Sequence, residues 1–237
     1  MNVRTDAERG RLQRPVAIPA YLQQTYWWAY IHPNAVHVFE RQWLVNLILW
    51  GNFARLRDLA LDDMGSSVAG RTLQVACVYG DFSARLASRI APGGTLDIVD
   101  VLPIQLNNLK KKLPHSAPVT LYQRDSTLLG FPDASHDQAI LFFLLHEQPA
   151  EVRKQTLSEA LRVIKPGGKL VLVDYHRPGW LHPLRYLFRP ILRVLEPYAL
   201  DLWQHEISEW LPAHIRPEQL HKQTYFGGLY QKVIIKV

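Results

Sequence analysis

The sequence predicts an α/β fold, a mostly parallel twisted sheet with a C-terminal antiparallel hairpin and helical insertions. Residues 71–174 alternate between strand-like and helix-like segments, which is the pattern of βαβ units. All seven Trp residues lie outside that segment, so stretches of different composition flank it. The chain has 237 residues, of which 48% are apolar, enough for one substantial hydrophobic core.

The first half of this alternating core predicts three strands. RTLQVACV is followed by a turn at Gly80 and by a helix that Asp81 or Ser83 can cap. TLDIVDV ends at Asp100, and the helix after it opens with a proline, whose missing donor is harmless there. APVTLYQRDS gives a third strand that ends near Asp125.

The second half predicts two more strands separated by one helix. HDQAILFFLL is apolar enough to lie inside a sheet that is covered on both faces. PAEVRKQTLSEALRVI has helical periodicity and is stopped by KPGG, after which KLVLVDY forms the fifth strand. The tail TYFGGLYQKVIIKV predicts a hairpin that turns at its two adjacent glycines.

The segments outside the core predict helices and a short polar tail. Phe39, Trp43 and Leu47 recur at spacings of four, and a later helix carries Trp203, Ile207, Trp210 and Leu211. We therefore expect one domain over 21–237 after a flexible tail over 1–20. Its parts are N-terminal helices (21–64), the core (71–174), a helical insertion (176–215) and a terminal hairpin (216–237).

Charge and composition limit the class of protein. The net charge is +6, which suits an anionic membrane surface or nucleic acid, although no nucleic-acid motif accompanies it. A single Cys excludes an intramolecular disulfide framework and any multi-cysteine zinc site. The sequence has no signal peptide and no apolar run of about 18 residues, which predicts a cytoplasmic protein.

The order of strand-end features resembles class I S-adenosylmethionine (SAM)-dependent methyltransferases over about residues 70–175. In that family a glycine-rich turn follows the first strand, acids follow the second and third strands, and a turn such as KPGG precedes the fifth. The resemblance implies SAM as cofactor, with the acid at Asp100 accepting from the ribose hydroxyls and Asp125 from the adenine amine. The implied cofactor-binding residues are Ala76, Cys77, Val78, Tyr79, Gly80, Asp100, Val101, Asp125 and Ser126.

Two interpretations compete with cofactor binding. Each of Asp100 and Asp125 could simply cap a following helix, although their correct order favours binding. The first motif also departs from the family's pattern of acid, Gly, Gly and Gly, because Gln74, Ala76 and Val78 replace its first three positions. A decayed site is one explanation, and an altered cofactor geometry is the one we favour.

A narrower resemblance covers most of the chain. VACVYGDFS, the aromatic-rich segment over 21–58 and FGGLYQ are similar to the RquA family of rhodoquinone-biosynthesis proteins. That resemblance implies conversion of ubiquinone to rhodoquinone, with an amino group replacing a ring methoxy group, SAM as amine donor and Mn²⁺ as metal. Conventional methylation of a lipophilic quinol or phenol, and non-catalytic SAM binding at a membrane, remain alternatives.

Candidate residues for this chemistry lie at strand ends. Tyr79 and Asp81 could replace the usual contacts to the methionyl group, and His146 is a further catalytic candidate. For the metal, the candidate ligands are Glu147, Asp174 and His176, which follow the fourth and fifth strands.

The aromatic and basic segments suggest contact with a bilayer. An isoprenoid tail needs an apolar channel, and the early Trp and Tyr residues tolerate a membrane interface, although such clusters more often form core. Arg185, Arg189 and Arg193 recur every four residues on a helix that Pro190 should kink. We therefore expect peripheral association with the anionic inner membrane, or the inner mitochondrial membrane, and no binding of nucleic acid.

Overall fold

The computed structural model describes residues 4–5, 16–31, 38–77 and 79–237. Its sheet has eight strands in the order β1-β4-β3-β2-β5-β6-β8-β7, with every pair parallel from β1 to β6 and antiparallel pairing of β6 with β8 and of β8 with β7. The strands are β1 Arg4–Thr5, β2 Arg71–Val75, β3 Thr95–Asp100, β4 Val119–Gln123, β5 His136–Phe142, β6 Ile164–Tyr175, β7 Leu220–Tyr225 and β8 Tyr230–Lys236.

Eight α-helices accompany the sheet in the described part of the chain. They are α1 Ala20–Thr25, α2 Gln42–Ile48, α3 Phe53–Met64, α4 Phe82–Ser88, α5 Pro103–Lys112, α6 Ala150–Arg162, α7 Leu184–Leu195 and α8 Pro197–Leu202. A π-helical turn covers Trp27–Ile31, and short 3-10 turns cover Leu145–Glu147, Ile207–Trp210 and Pro217–Gln219.

The core lies on both faces of the central strands. In β5 and in the second half of β6 nearly every side chain is buried, as expected of parallel strands covered on two sides. Phe142 of β5 stacks on Phe82 at the start of α4, with ring centroids 4.3 Å apart, and Phe53 of α3 meets the same ring edge-on. These aromatic contacts fix the segment after β2 against the centre of the sheet.

The predicted α/β architecture is confirmed, with differences in detail. Arg4–Thr5 pairs with β4 at the edge of the sheet, within the stretch expected to be a flexible tail; residues 1–3 and 6–15 lie outside the described part. Strand β6 begins at Ile164, although only 169–175 pair with β8, and its register with β5 is irregular at the predicted KPGG turn.

The helical insertion differs most from expectation. The helix predicted through Trp203 and Leu211 is instead α8, which ends at Leu202, and a separate 3-10 turn. Helix α7 runs through Pro190 as one element. No helix in the described ranges combines the length and apolarity needed to cross a membrane.

Candidate active site

The carboxyl ends of five neighbouring parallel strands, in the order β4, β3, β2, β5 and β6, open into one cavity of about 620 Å³. Asp100 ends β3, Asp125 follows β4, His146 follows β5 and Tyr175 ends β6, and all four line the cavity. Ligands of open α/β sheets bind at this edge. Helices α1, α2 and α7 also line the cavity, so segments far apart in the chain complete the wall.

The loop after β2 keeps a left-handed backbone where the family has glycine. Ala76 has φ +70°, a conformation that costs an L residue roughly 1–2 kcal/mol. Gly80 has φ +85°, and a Cβ there would lie 2.9 Å from Phe53 Cζ, so glycine is required. Val78, a predicted cofactor contact, lies outside the described residues.

Gln74 occupies the position of the family's acid without supplying a charge. Its side-chain amide is buried and donates from Nε2 to Ala76 O at 2.9 Å and to Ser83 Oγ at 2.8 Å. Gln74 does not itself line the cavity. The amide therefore holds the left-handed turn against the start of α4, and no carboxylate stands at this point.

Asp100 connects two loops at the wall of the cavity. Its Oδ2 accepts from Cys77 N at 2.7 Å and its Oδ1 accepts from Leu102 N at 2.8 Å, so it bridges two loops rather than capping α5 through a helical N–H. Burial raises the pKa of this carboxyl to about 6, against the lowering effect of those N–H donors. A carboxylate oxygen can accept more than one hydrogen bond, so the ribose role predicted for Asp100 is compatible with this geometry.

Asp125 lies in a turn and no helix follows it directly, so the capping interpretation does not apply. Its Oδ1 accepts from Thr127 N at 2.8 Å and from Thr127 Oγ1 at 2.7 Å. Ser126 Oγ lies 2.8 Å from Thr156 Oγ1 and accepts a hydrogen bond from Gln148 Nε2 at 3.0 Å. Ala76, Cys77, Val101 and Ser126 also line the cavity, so all the predicted cofactor residues except Gly80 and the undescribed Val78 line it.

Tyr79 ties the loop after β2 to the N-terminal segment. Its hydroxyl donates to Ala29 O at 2.6 Å and accepts from Gln105 Nε2 at 2.9 Å, while its ring stacks on Phe39. Burial raises the pKa of this phenol, which keeps it neutral. Its hydroxyl is therefore engaged in positioning the loop, although its side chain lines the cavity.

Glu40 joins the same three segments through charge. Its carboxylate accepts from Lys112 Nζ and from Asn108 Nδ2, both at 2.6 Å, and from Gly80 N at 3.3 Å. Lys112 also donates to Gly80 O at 2.9 Å. The N-terminal segment, the loop after β2 and α5 thus form one connected unit.

His146 is a buried histidine whose imidazole lies near three carboxylates. Its Nδ1 lies 2.9 Å from Asp174 Oδ1, and its Nε2 lies 3.7 Å from Glu147 and 3.8 Å from Glu196. Burial alone would lower the pKa of the imidazole, but these three carboxylates outweigh it and raise the pKa to about 9. His146 is therefore a cation at neutral pH, and its ring meets Tyr175 edge-on at 4.9 Å.

Asp174, predicted as a metal ligand, is buried and engaged in orienting His146. Besides the imidazole, it accepts from the backbone N–H groups of Leu144, Leu145, His146 and Tyr175. These bonds fix the turn after β5, which explains why the histidine is held in one orientation.

The predicted metal ligands are not brought together. Asp174 is saturated by hydrogen bonds, and His176 lies on a separate cleft, where its Nδ1 donates to Gly228 O at 2.8 Å and its Nε2 accepts from Lys222 at 3.0 Å. Within the described ranges, no group of three or more His, Cys, Asp or Glu side chains could hold a metal ion. These residues do not fit the expected Mn²⁺ site.

Asp81, predicted as catalytic, lies off the cavity wall. Its carboxylate pairs with Arg57 Nη1 at 2.9 Å and Arg85 Nε at 2.5 Å, and it makes no side-chain cap on α4. Partial burial opposes ionisation, but the two guanidinium groups lower the pKa of Asp81. Gly80 likewise does not line the cavity, so both residues shape the loop from behind.

Several contributors carried no signal in the sequence. Glu196 follows α7 and reaches the histidine only because α7 folds back over the sheet, while Glu40 and Gln105 act across more than 25 residues. A lone acid or amide in such segments looks like an ordinary surface residue.

Comparison with known proteins agrees with the fold. Residues 72–168 match the family described as Methyltransferase domain. A demethylmenaquinone methyltransferase of Listeria welshimeri is 32% identical over 167 residues, covering 65% of this chain and 69% of its own. The ubiquinone/menaquinone biosynthesis C-methyltransferase UbiE of Ectopseudomonas mendocina is 29% identical and covers 78% of this chain and 75% of its own.

Solved structures support the same fold. A SAM-dependent methyltransferase of Aquifex aeolicus has a TM-score of 0.53 at 17% identity and covers 86% of this chain and 97% of its own. Human N-acetylserotonin methyltransferase in complex with SAM has a TM-score of 0.61 at 16% identity. The match covers 92% of this chain and 60% of the human protein's chain. With the strand order and the acids at the strand ends, these relationships show that the chain belongs to the class I SAM-dependent methyltransferase family.

Proposed function

We propose that this protein transfers the amino group of SAM to the ring of ubiquinone, forming rhodoquinone with loss of a methoxy group. A quinone substrate is supported by the relatives, which are named as methyltransferases of demethylmenaquinone and of ubiquinone and menaquinone biosynthesis. The mainly apolar cavity, large enough for a ring and part of a tail, is consistent with such a substrate.

The substitution of Gln74 for the family's acid is the observation that carries amination. A carboxylate at this position would favour the ammonium form of the cofactor's amine, which has no lone pair for attack. The Gln74 amide is neutral and its Nε2 is engaged with Ala76 and Ser83. Methyl transfer does not use the amine as a nucleophile, whereas amination requires its lone pair, so the loss of this charge favours amination.

The substitution step conserves atoms and charge. The amine nitrogen forms a bond to the ring carbon that bears methoxy, and the ring electron pair moves to a quinone oxygen. Return of that pair to the ring breaks the bond between the ring carbon and the methoxy oxygen, and the methoxide takes the proton that the nitrogen releases and leaves as methanol. The bond between the nitrogen and the methionyl Cα then breaks by elimination: the nitrogen keeps the electron pair and gains a proton, Cβ loses a proton, and the carbon skeleton leaves as an α,β-unsaturated acid.

His146 is the group we assign to proton transfer. It is held as a cation by Asp174 and lines the cavity, so it can hydrogen-bond the quinone oxygen or protonate the departing methoxide. The predicted Mn²⁺ has no ligand set among the described residues, and no step of this proposal depends on it.

Methylation of a quinol ring is the second candidate, and the relatives favour it directly. Their names describe methyl transfer in quinone biosynthesis. In that reaction Asp100 and Asp125 would hold SAM in the same way, and His146 would orient a ring hydroxyl instead.

One experiment separates the candidates. Purified protein is incubated anaerobically with a short-tailed ubiquinone and SAM labelled with ¹⁵N at the amine, with and without Mn²⁺, and the quinone is analysed by mass spectrometry. We expect ¹⁵N in the ring and loss of methoxy. A quinone or quinol that gains a methyl group establishes methylation, and SAM binding without any product establishes a non-catalytic role.

A further inference from the structure

We propose that α2 and α7 form a membrane-docking face, through which the tail of a lipid-soluble quinone enters the cavity directly from the bilayer. The inference deepens the proposed function, since it names the source and route of the substrate. The docking face consists of six exposed side chains, three from each helix: Trp43, Leu47, Ile48, Leu187, Ile191 and Val194.

Some of these side chains belong to both the surface and the cavity wall. Leu47, Ile48 and Ile191 line the cavity and are nevertheless more than 40% exposed. Trp50, two residues after the end of α2, contacts Phe188 of α7, with ring centroids 5.5 Å apart, and both side chains line the cavity. The apolar surface is therefore continuous with the apolar interior.

Helix α7 has the layout of a helix that lies on a bilayer. Leu184, Phe188 and Leu192 are buried, and the stripe of Leu187, Ile191 and Val194 beside them is exposed. Exposing this much apolar surface to water is unfavourable for a protein that stays in solution. At a bilayer the same stripe is buried among acyl chains.

The charges of α7 specify an anionic surface. At 100° per residue, Arg185, Arg189 and Arg193 lie on the side of the helix opposite the apolar stripe, and the helix contains no acidic residue. Long arginine side chains reach headgroups while apolar neighbours insert below them. Arg189 and Arg193 are exposed and available for that contact.

A bilayer explains the open mouth better than a protein partner does. A second protein seated on Leu47 and Ile191 would close the cavity, whereas lipid delivers a ligand through it. The mouth is also apolar where water-soluble substrates would need polar contacts, so a substrate dissolved in the membrane is the match.

Vesicle binding tests the docking face with matched variants. Val194→Ser and Leu128→Ser remove apolar side chains that are 78% and 72% exposed, and Leu128 lies on neither helix. Sedimentation with vesicles of phosphatidylglycerol and phosphatidylcholine in equal parts measures partitioning. We expect the double variant of Leu187→Ser and Val194→Ser to lower the vesicle partition coefficient by about tenfold or more. Leu128→Ser should change that coefficient by less than about twofold.

The arginines are tested on the same vesicles. Arg189→Gln with Arg193→Gln should weaken binding to anionic vesicles by about fivefold per residue and leave the weaker binding to pure phosphatidylcholine unchanged. Wild-type protein that binds neither vesicle, or equal binding by Leu128→Ser and the double variant of Leu187→Ser and Val194→Ser, overturns the proposal. So does a dimer in sedimentation equilibrium that the Leu187 and Val194 substitutions dissociate, since the face is then a subunit interface.

Turnover distinguishes failure of docking from failure of the proposed chemistry. Leu187 and Val194 do not line the cavity, so the double variant should process a short-tailed quinone in solution like the wild type and lose turnover only on a long-tailed quinone in vesicles. Equal loss on both substrates contradicts a docking role. If the wild type modifies neither quinone, the proposed chemistry fails while vesicle binding still decides the docking face.

Discussion

At the scale of single residues, Ala76 has the left-handed backbone that glycine adopts most easily, although it carries a Cβ. We expect Ala76→Gly to leave the free energy of unfolding unchanged or raise it by up to about 1 kcal/mol, since relief of strain exceeds the added entropy of the unfolded chain. Ala76→Val should lower it by more than about 1 kcal/mol. Urea denaturation measures both, and a stabilising valine would contradict the left-handed assignment.

His146 predicts a specific dependence on pH. Its pKa is raised from 6.5 to about 9 in the folded state, so its contribution to stability is complete below about pH 6.5 and is lost as pH rises through about 9. The loss is on the order of 3 kcal/mol. Turnover should fall as pH rises through about 9, because the proposed proton donor is then lost from the folded protein.

The His146→Gln variant should abolish that dependence. Denaturation measured across this pH range should then be flat, whereas the exposed His115→Gln control should keep the wild-type slope. A wild-type slope in His146→Gln would mean that another group titrates.

Asp100 predicts a pH dependence opposite to that of His146: SAM binding should weaken as pH falls. Its pKa of about 6 means that the carboxylate is charged above that pH and neutral below it. SAM at a hundred times its Kd should stabilise the protein by about 2.7 kcal/mol, and this should decline as pH falls through about 6. Asp100→Asn should remove most of the stabilisation at neutral pH, whereas Asp133→Asn, on an exposed side chain, should not. Calorimetric titration gives the affinities.

At the scale of elements, the regular segments were predictable because local patterns determined them. The proline at the start of α5, the central β5 and the Gly227–Gly228 hairpin all follow from composition and period. The α8 region was not predictable, because its Trp and Ile spacing suits a helix while tertiary contacts break it at Leu202. At the site, strand order placed Asp100, Asp125 and His146, but long-range partners such as Glu196 had no local signature.

Arg153 shows how one side chain can hold such a region. It is completely buried, donates to Leu145 O at 2.7 Å, binds Asp201 and Tyr198 O, and lies over the Trp210 ring. We expect Arg153→Met to lower the free energy of unfolding by about 2–5 kcal/mol, because it leaves buried acceptors unpaired. Its exposed neighbour gives the control, Lys154→Met, which should change it by less than about 0.5 kcal/mol in urea.

At the scale of the whole molecule, the cavity joins two different environments. Its deep wall carries Asp100, Asp125 and His146, and its mouth carries the apolar side chains of α2 and α7. The family core supplies the polar wall, and the segments before β2 and after β6 supply the apolar mouth. The chain therefore combines a shared cofactor scaffold with its own covering elements.

The links from Tyr79 to Ala29 and from Gly80 to Glu40 bear on how this protein could be redesigned. Grafting a conventional glycine-rich motif over residues 74–80 would delete the phenol that bonds Ala29 and leave Glu40 facing an altered loop. The grafted protein would combine a new loop sequence with the original contact residues of the N-terminal segment. A successful chimera must exchange the loop together with the residues that contact it, Ala29 and Glu40, so the loop and these two contacts form one unit of exchange.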